Sequence, residues 1–373
     1  MRSLVALALP LALCAPAAAQ APSTNAAMKY WQAFGLLPAL DKDQEKIAEE
    51  WSKVPLDAAA KKVIEQSHNS VEYLHRGAKL DRCDWTLDYE DGIWLVLPHL
   101  GKARTLARLA ALTARSEFER GDAKAGWGHV MDMLRLARHV EVDPIMINQL
   151  VGYAIEATAI DAAAPHLPGL KDALADAPAA LDRLPAAMSL SKMLAAEQAN
   201  FLRTTIRHLK AAEEKKPGSW QDVWKGLFAG DENPETRALA DSAKSLDQAV
   251  QMVEGLIPLY DELAKLAALP PKEFDARYPE FVRKANADNP LAKAILPAVD
   301  KVGAAQRRAE ARLAMFKAAV AVVRGGPDKV KETKDPFGDG PFEYRALGNG
   351  FELKSKLMFR DQPVTLTVGK GEK

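Results

Sequence analysis

The sequence predicts an all-α protein: helical hairpins, then a long-helix, coiled-coil-like bundle, with a small β-meander at the C-terminus. Three observations carry this. Between Leu97 and Leu167, apolar residues recur at helical spacing in three segments with clean breaks. Between Met188 and Val323, three runs place apolar residues at alternating steps of three and four. After Phe342 the pattern changes to alternation, the period of a strand. The expected organisation is a helical-hairpin region over 24–185, a long-helix bundle over 186–325 and a meander over 335–373 packed on the helices.

The first residues read as an export leader over 1–19. Arg2 supplies the positive end, Leu4 to Leu13 is too short to span a bilayer, and Ala17-Ala18-Ala19 fits a cleavage site. The alternative is a lipoprotein with Cys14 lipidated, although bulky Leu13 stands where such sites need a small residue. The expected location is periplasmic or secreted, with no membrane span in the mature chain. If Cys14 leaves with the leader, Cys83 stands alone and no intrachain disulfide can form.

Asn25 to Leu37 reads as a short amphipathic helix with Met28, Trp31 and Phe34 on its apolar side. Asp41 to Lys53 is a charged helix carrying Ile47, Ala48 and Trp51. Asp57 to Arg76 is longer and is expected to end at Gly77. Lys79 to Gly92 is irregular and acidic. Of the central helices, the first (Lys102 to Arg120) has a small-residue row, Ala107, Ala111 and Ala114, flanked by Leu106, Leu109 and Leu112. It is apolar around so much of its circumference that it belongs inside. Gly121-Asp122 separates it from the second (Lys124 to Glu141). There Trp127, Val130, Met131, Leu134, Ala137 and Val140 form a stripe, with His129, Asp132, Arg135 and His139 on the other side. Asp143 is expected to cap the third, with Pro144 in its first turn.

Four prolines break up Pro165 to Pro185, leaving room for one short helix. The long-helix seams run from Met188 to Leu209, Leu239 to Ala267 and Val302 to Val323, and their 3.5-residue average is the left-handed supercoil period. Pro258 and Pro297 predict kinks or fresh starts. Asn233-Pro234 and Asn289-Pro290 read as cap and first turn, and Ser219 with Asp222 as a capping box. In the C-terminal segment, Phe342, Tyr344 and Ala346 precede the turn signal Gly348-Asn349-Gly350. Phe351, Leu353, Ser355 and Leu357 then alternate with polar residues, as do Val364, Leu366 and Val368.

Charge is balanced, with 50 Lys+Arg and 50 Asp+Glu, so no global field attracts nucleic acid or anionic lipid. Gly121-Asp122 with Gly126 and Leu134 resembles a tetratricopeptide-type hairpin, over roughly 30 residues and in one copy; this is helix-hairpin physics and not membership. Asp335-Pro336-Phe337-Gly338, Pro341, Tyr344-Arg345, Gly350-Phe351 and Ser355 resemble the end of type II secretion pseudopilins. Similar endings follow helical domains in uncharacterised families of exported bacterial proteins. The whole mature chain resembles a member of such a family, including Cys83-Asp84-Trp85 to Pro98-His99-Leu100. The long apolar N-terminal helix of pseudopilins is missing, and Lys356 to Arg360 stands where their acidic calcium loop follows the serine. Neither filament assembly nor calcium carries over.

Chemistry-bearing groups are sparse. His68, Glu72 and His75 fall at i, i+4 and i+7, but a di-iron site needs a second Glu-x-x-His on a facing helix, which the chain lacks; a solvated helix face is expected, and no metal or cofactor. Cys83 lies between Asp81 and Asp84, whose negative charge disfavours a thiolate. Arg120-Gly121-Asp122 reads as a helix–helix turn. Gly-x-Ser-x-Gly, His-Glu-x-x-His, Cys-x-x-Cys and phosphate-loop motifs are missing. The acidic, aromatic stretch is expected to be a surface loop pinned into the core by Trp85 and Trp94, and it is also the best candidate for ligand binding, through Asp84, Trp85, Asp88, Tyr89, Glu90, Asp91 and His99. Calcium-loop spacing fails there. The leading expectation is an exported, non-catalytic interaction or structural protein whose partner is another protein engaged through helical surfaces. The alternative is an extracytoplasmic ligand- or metal-binding protein using 81–99, and the third reading is a hydrolase of unrecognised type.

Overall fold

A computed structural model describes residues 24–229 and 234–370. The leader at 1–19, Cys14 and Asn233 lie outside the described residues. The described chain is mostly helical and ends in a small three-stranded antiparallel sheet.

The first helices follow their caps. Asn25 caps α1 (Ala26–Gly35) through the amide of Ala27, and Asp41 forms a capping box with Gln44 at the start of α2 (Lys42–Glu49). Asp57 caps α3 (Ala58–Ala78). On α1 the buried aromatics are Tyr30 and Phe34, whereas Met28 is half exposed, contrary to the expected apolar side. Gly77 does not end α3. The helix ends one residue later, at Ala78, and the glycine instead makes room for the Tyr30 ring, 2.5 Å from where a Cβ would stand.

The helices α4 (Pro98–Glu119), α5 (Ala123–Val140) and α6 (Met146–Ala163) form the centre. Leu106, Ala107, Leu109, Ala110, Ala111, Leu112 and Ala114 are all essentially inaccessible, so α4 is interior as its composition predicts. The polar side of α5 corrects the expectation. Asp132, Arg138 and His139 are buried beside the apolar stripe, because α3 covers that face and α6 packs beside it. Asp143 does not cap α6. Its backbone carbonyl accepts from Ile145, its carboxylate accepts the Tyr89 hydroxyl at 2.6 Å, and the helix starts at Met146 with Ile145, which has no capping side chain, at the N-cap.

The short α7 (Ala177–Asp182) is the one α-helix within 165–185. α8 (Leu190–Glu197) continues through a π turn at Gln198–Leu202 into α9 (Arg203–Lys215). Ser219 does not cap α10 (Trp220–Gly226); its hydroxyl donates instead to the Ala212 carbonyl. The seam from Leu239 to Ala267 is not one helix. It divides into the end of α11 (Pro234–Ala240), then α12 (Leu246–Glu254) and α13 (Leu256–Ala267). Ser245 caps α12, and Pro258 falls in the first turn of α13, where a missing N–H breaks no intrahelical bond. α14 (Pro271–Asp288), which the sequence reading does not contain, buries Phe274, Phe281 and Ala285. α15 (Ala292–Gly325) runs on through Pro297, in its second turn.

Two apolar cores result. One joins α1–α6, α7, the sheet and the C-terminal half of α15, including Met315, Phe316 and Ala319. The other joins α8–α10, α12–α14 and the N-terminal half of α15, including Leu296, Val299 and Val302. α15 therefore ties both together. The strands β1 (Glu343–Leu347), β2 (Gly350–Phe359) and β3 (Gln362–Gly369) pair antiparallel in sequence order. Phe351, Leu353, Val364, Leu366 and Val368 turn inward, and β2 and β3 lie on α15. Arg360 and Asp361, both at positive φ, make the tight β2–β3 turn. The buried Asp335 carboxylate accepts from Ser355 Oγ at 2.9 Å, from the Lys356 amide at 2.6 Å and from the Phe337 amide at 3.0 Å. It latches the approach segment to the middle of β2.

Glu197, at the end of α8, reaches the start of α6, where the Met146 amide donates to it at 2.9 Å. Burial pushes its carboxyl from an ordinary 4.5 up to about 7, and no cation pairs with it among the described residues. A glutamate whose folded pKa exceeds its unfolded one opposes folding above the higher value and ceases to do so below the lower. Glu197→Gln keeps the acceptor and removes the charge. It should raise unfolding free energy by about 3 kcal/mol at pH 8, at about 1.4 kcal/mol per pKa unit, and change it little at pH 4. Urea unfolding at the two pH values checks this; an equal gain at both would assign the effect to packing.

Candidate functional site

The expected stretch does not converge on one site. Trp85 is buried under α1 and stacks on His99 with centroids 4.4 Å apart, and its indole N–H donates to the His139 carbonyl at 2.7 Å. Tyr30 and Phe34 stack on the same indole. His99 is wholly buried, and desolvation lowers its pKa to about 4, so it is a neutral core imidazole. Asp84 and Asp88 make local turns by accepting from the amides of Thr86 and Glu90. Asn25 clamps the Asp84 backbone in both directions, which ties this segment to α1. Tyr89 turns to Asp143. Glu90 pairs with Arg207 at 2.7 Å, and Glu90 and Asp91 lie with Trp94 and His208 around a shallow surface pocket. Trp94 is not a core anchor: it is half exposed and tilts against His208. Cys83 is buried, which together with the Asp143 charge pushes its thiol up to about 12.

The densest set of chemical groups lies elsewhere, in an open cleft of about 790 Å³ between α3 and α5, closed at one end by the last turns of α4. The i, i+4, i+7 spacing brings His68, Glu72 and His75 to one wall. His129 and Asp132, three apart on α5, face them. Gly128 leaves open space there. The expectation that His68, Glu72 and His75 form a merely solvated face holds for His68, which is exposed. It fails for His75, whose Nδ1 lies 2.8 Å from the buried Asp132 carboxylate.

That contact sets the chemistry. With Asp132 as carboxylate, Nδ1–H is the donor, and Nε2, which has no hydrogen bond among the described residues, is an acceptor on the neutral ring and a donor on the charged one. Burial raises the Asp132 pKa, opposed chiefly by the charge of His75 and its hydrogen bond. Burial lowers that of His129, whose Nδ1 also has no partner among the described residues. The walls carry five acids, Glu65, Glu72, Glu117, Asp122 and Asp132, against Arg120 and Lys124. Arg120 is paired with Glu117 at 2.6 Å and Glu72 with Arg76 at 3.1 Å, which leaves Glu65, Asp122 and Asp132 against Lys124. The cleft therefore presents negative charge and an imidazole held in place by a carboxylate. Among the described residues, no group of three or more His, Cys, Asp or Glu is placed to hold a metal ion.

His129 and Asp132 were visible as polar residues on α5, and His75 as one on α3. Only the packing of the two helices joins them. No family model, no curated protein and no solved structure matches the chain. No helix among the described residues is long and apolar enough to cross a membrane.

Proposed function

We propose that this is an exported, non-catalytic interaction protein, framed by long helices with coiled-coil-like seams, and that the α3/α5 cleft docks a basic segment of a partner protein. The excess of acidic groups in an open cleft between rigid helices carries this reading. His75, oriented by Asp132, adds a fixed ring nitrogen that accepts a partner N–H when the imidazole is neutral, and Ile64 and Val71 supply apolar contact beside it. Export rests on the leader at 1–19. Balanced overall charge favours a local electrostatic contact over general attraction to nucleic acid.

Capture experiments from the cell that makes the protein test this. The wild type should retain a partner that Glu65→Lys/Glu72→Lys loses, with retention falling as salt rises from about 0.05 to 0.5 M. Both positions carry surface side chains, so the fold should be kept. Identical capture by the two proteins would remove the cleft as docking site, and recovery of the uncleaved chain in the cytosol would remove export.

The His75–Asp132 pair favours a second reading, general acid–base catalysis on a bound water, because a buried carboxylate behind an imidazole is how such a base is held. Hydrolysis of p-nitrophenyl esters or phosphates that is lost in Asp132→Asn, with partner capture kept, would favour it.

A further inference from the structure

We infer that the seam between the two cores holds a second site, for an organic cation with an apolar body. A cavity of about 570 Å³ lies there, bounded by α6, the linker from α7 to α8, and α15. It is separate from the α3/α5 cleft and does not depend on the docking proposal.

Four features define what the cavity would take. Tyr153 is 6 % exposed and lines it, yet its hydroxyl has no hydrogen-bond partner among the described residues. A buried phenol left so forfeits a hydrogen bond that a ligand can supply. Glu156 lines the same wall and is buried. Its partner Arg138 also binds Glu141, so one cation serves two carboxylates and the cluster retains negative charge. Glu310 stands at the rim with no ion pair among the described residues. Leu181, Leu184 and Leu313 give the rest of the wall its apolar part, with Ser189 and Gln306 as neutral polar groups beside them. The cations at hand are already committed, Arg138 to the two glutamates and Lys317 to Asp182 at 2.8 Å, so an anion finds no free cation. An ammonium group would donate to Tyr153 Oη and the Glu156 carboxylate, with its carbon chain on the leucines. A junction between two cores, partly apolar with a few convergent polar groups, is where small-molecule sites form.

Calorimetry on the full chain at pH 8 tests this with hexylammonium and phenethylammonium against hexan-1-ol and hexanoate. The ammonium probes should bind and the alcohol and carboxylate should not. Tyr153→Phe and Glu310→Gln should each weaken binding by about ten-fold or more. Leu184→Trp fills the cavity from the linker without touching the buried ion cluster, and should abolish binding in a protein whose circular dichroism is unchanged. Glu72→Lys, in the α3/α5 cleft, should leave binding intact. Hexanol binding as tightly as hexylammonium, no ammonium binding at about 10 mM, retention in Leu184→Trp, or loss in Glu72→Lys would each overturn the assignment.

Discussion

Arg138→Met is expected to lower unfolding free energy by about 3–5 kcal/mol at pH 8, because it strands two buried carboxylates without their shared cation. Arg138, Glu141 and Glu156 are all less than a tenth exposed. Burial already pushes Glu141 from 4.5 up to about 7, and raises Glu156 as well, even with the guanidinium in place. Removing it raises both further. A carboxyl with a raised folded pKa opposes folding above that value and is relieved as pH falls and the proton is taken up. The deficit should therefore shrink between pH 8 and pH 5, as urea unfolding at each pH reads directly. Glu141→Gln and Glu156→Gln added to Arg138→Met should recover most of the loss at pH 8, since a neutral cluster has no stranded charge. A deficit independent of pH would mean that Arg138 acts through packing alone.

Trp85→Ala should cost about 3–5 kcal/mol, the range for emptying a large buried aromatic position. The indole is the hub of an aromatic cluster with Tyr30, Trp31, Phe34 and His99. Its loss also leaves the His139 carbonyl without the indole N–H, a further penalty of about 1 kcal/mol. Trp85→Phe should recover part of the packing but not the hydrogen bond. Guanidinium unfolding followed by far-UV circular dichroism would show the loss as a lower midpoint. An unchanged midpoint in Trp85→Ala would contradict the placement of this residue in the core, and with it the reason the 81–99 stretch folds back on α1.

That stretch shows where sequence reading reaches its limit. Acidic and aromatic residues crowded into a short irregular segment point to binding, yet here the same composition serves local structure. Asp84 and Asp88 close turns, Trp85 and His99 fill the core, and Tyr89 is spent on Asp143. The α3/α5 cleft had the opposite history. Its residues lie on two helices that read as polar faces, 57 positions apart at the His75–Asp132 contact. Periodicity assigns each helix a polar side but cannot tell water from another helix as what that side meets. α5 is the clearest instance: its apolar stripe was legible, but the burial of Asp132, Arg138 and His139 was not.

What the sequence determined by itself is local. Caps at Asn25, Asp41 and Asp57 set helix starts, the alanine row made α4 interior, and alternation after Phe342 made a meander, because these depend on backbone geometry and spacing within a few residues. Only the tertiary structure decided the pairing of His75 with Asp132, the division of α15 between two cores and the cavity at their seam. Each depends on which distant faces meet, and in the interior a polar group is held by a partner whose position no short-range pattern encodes.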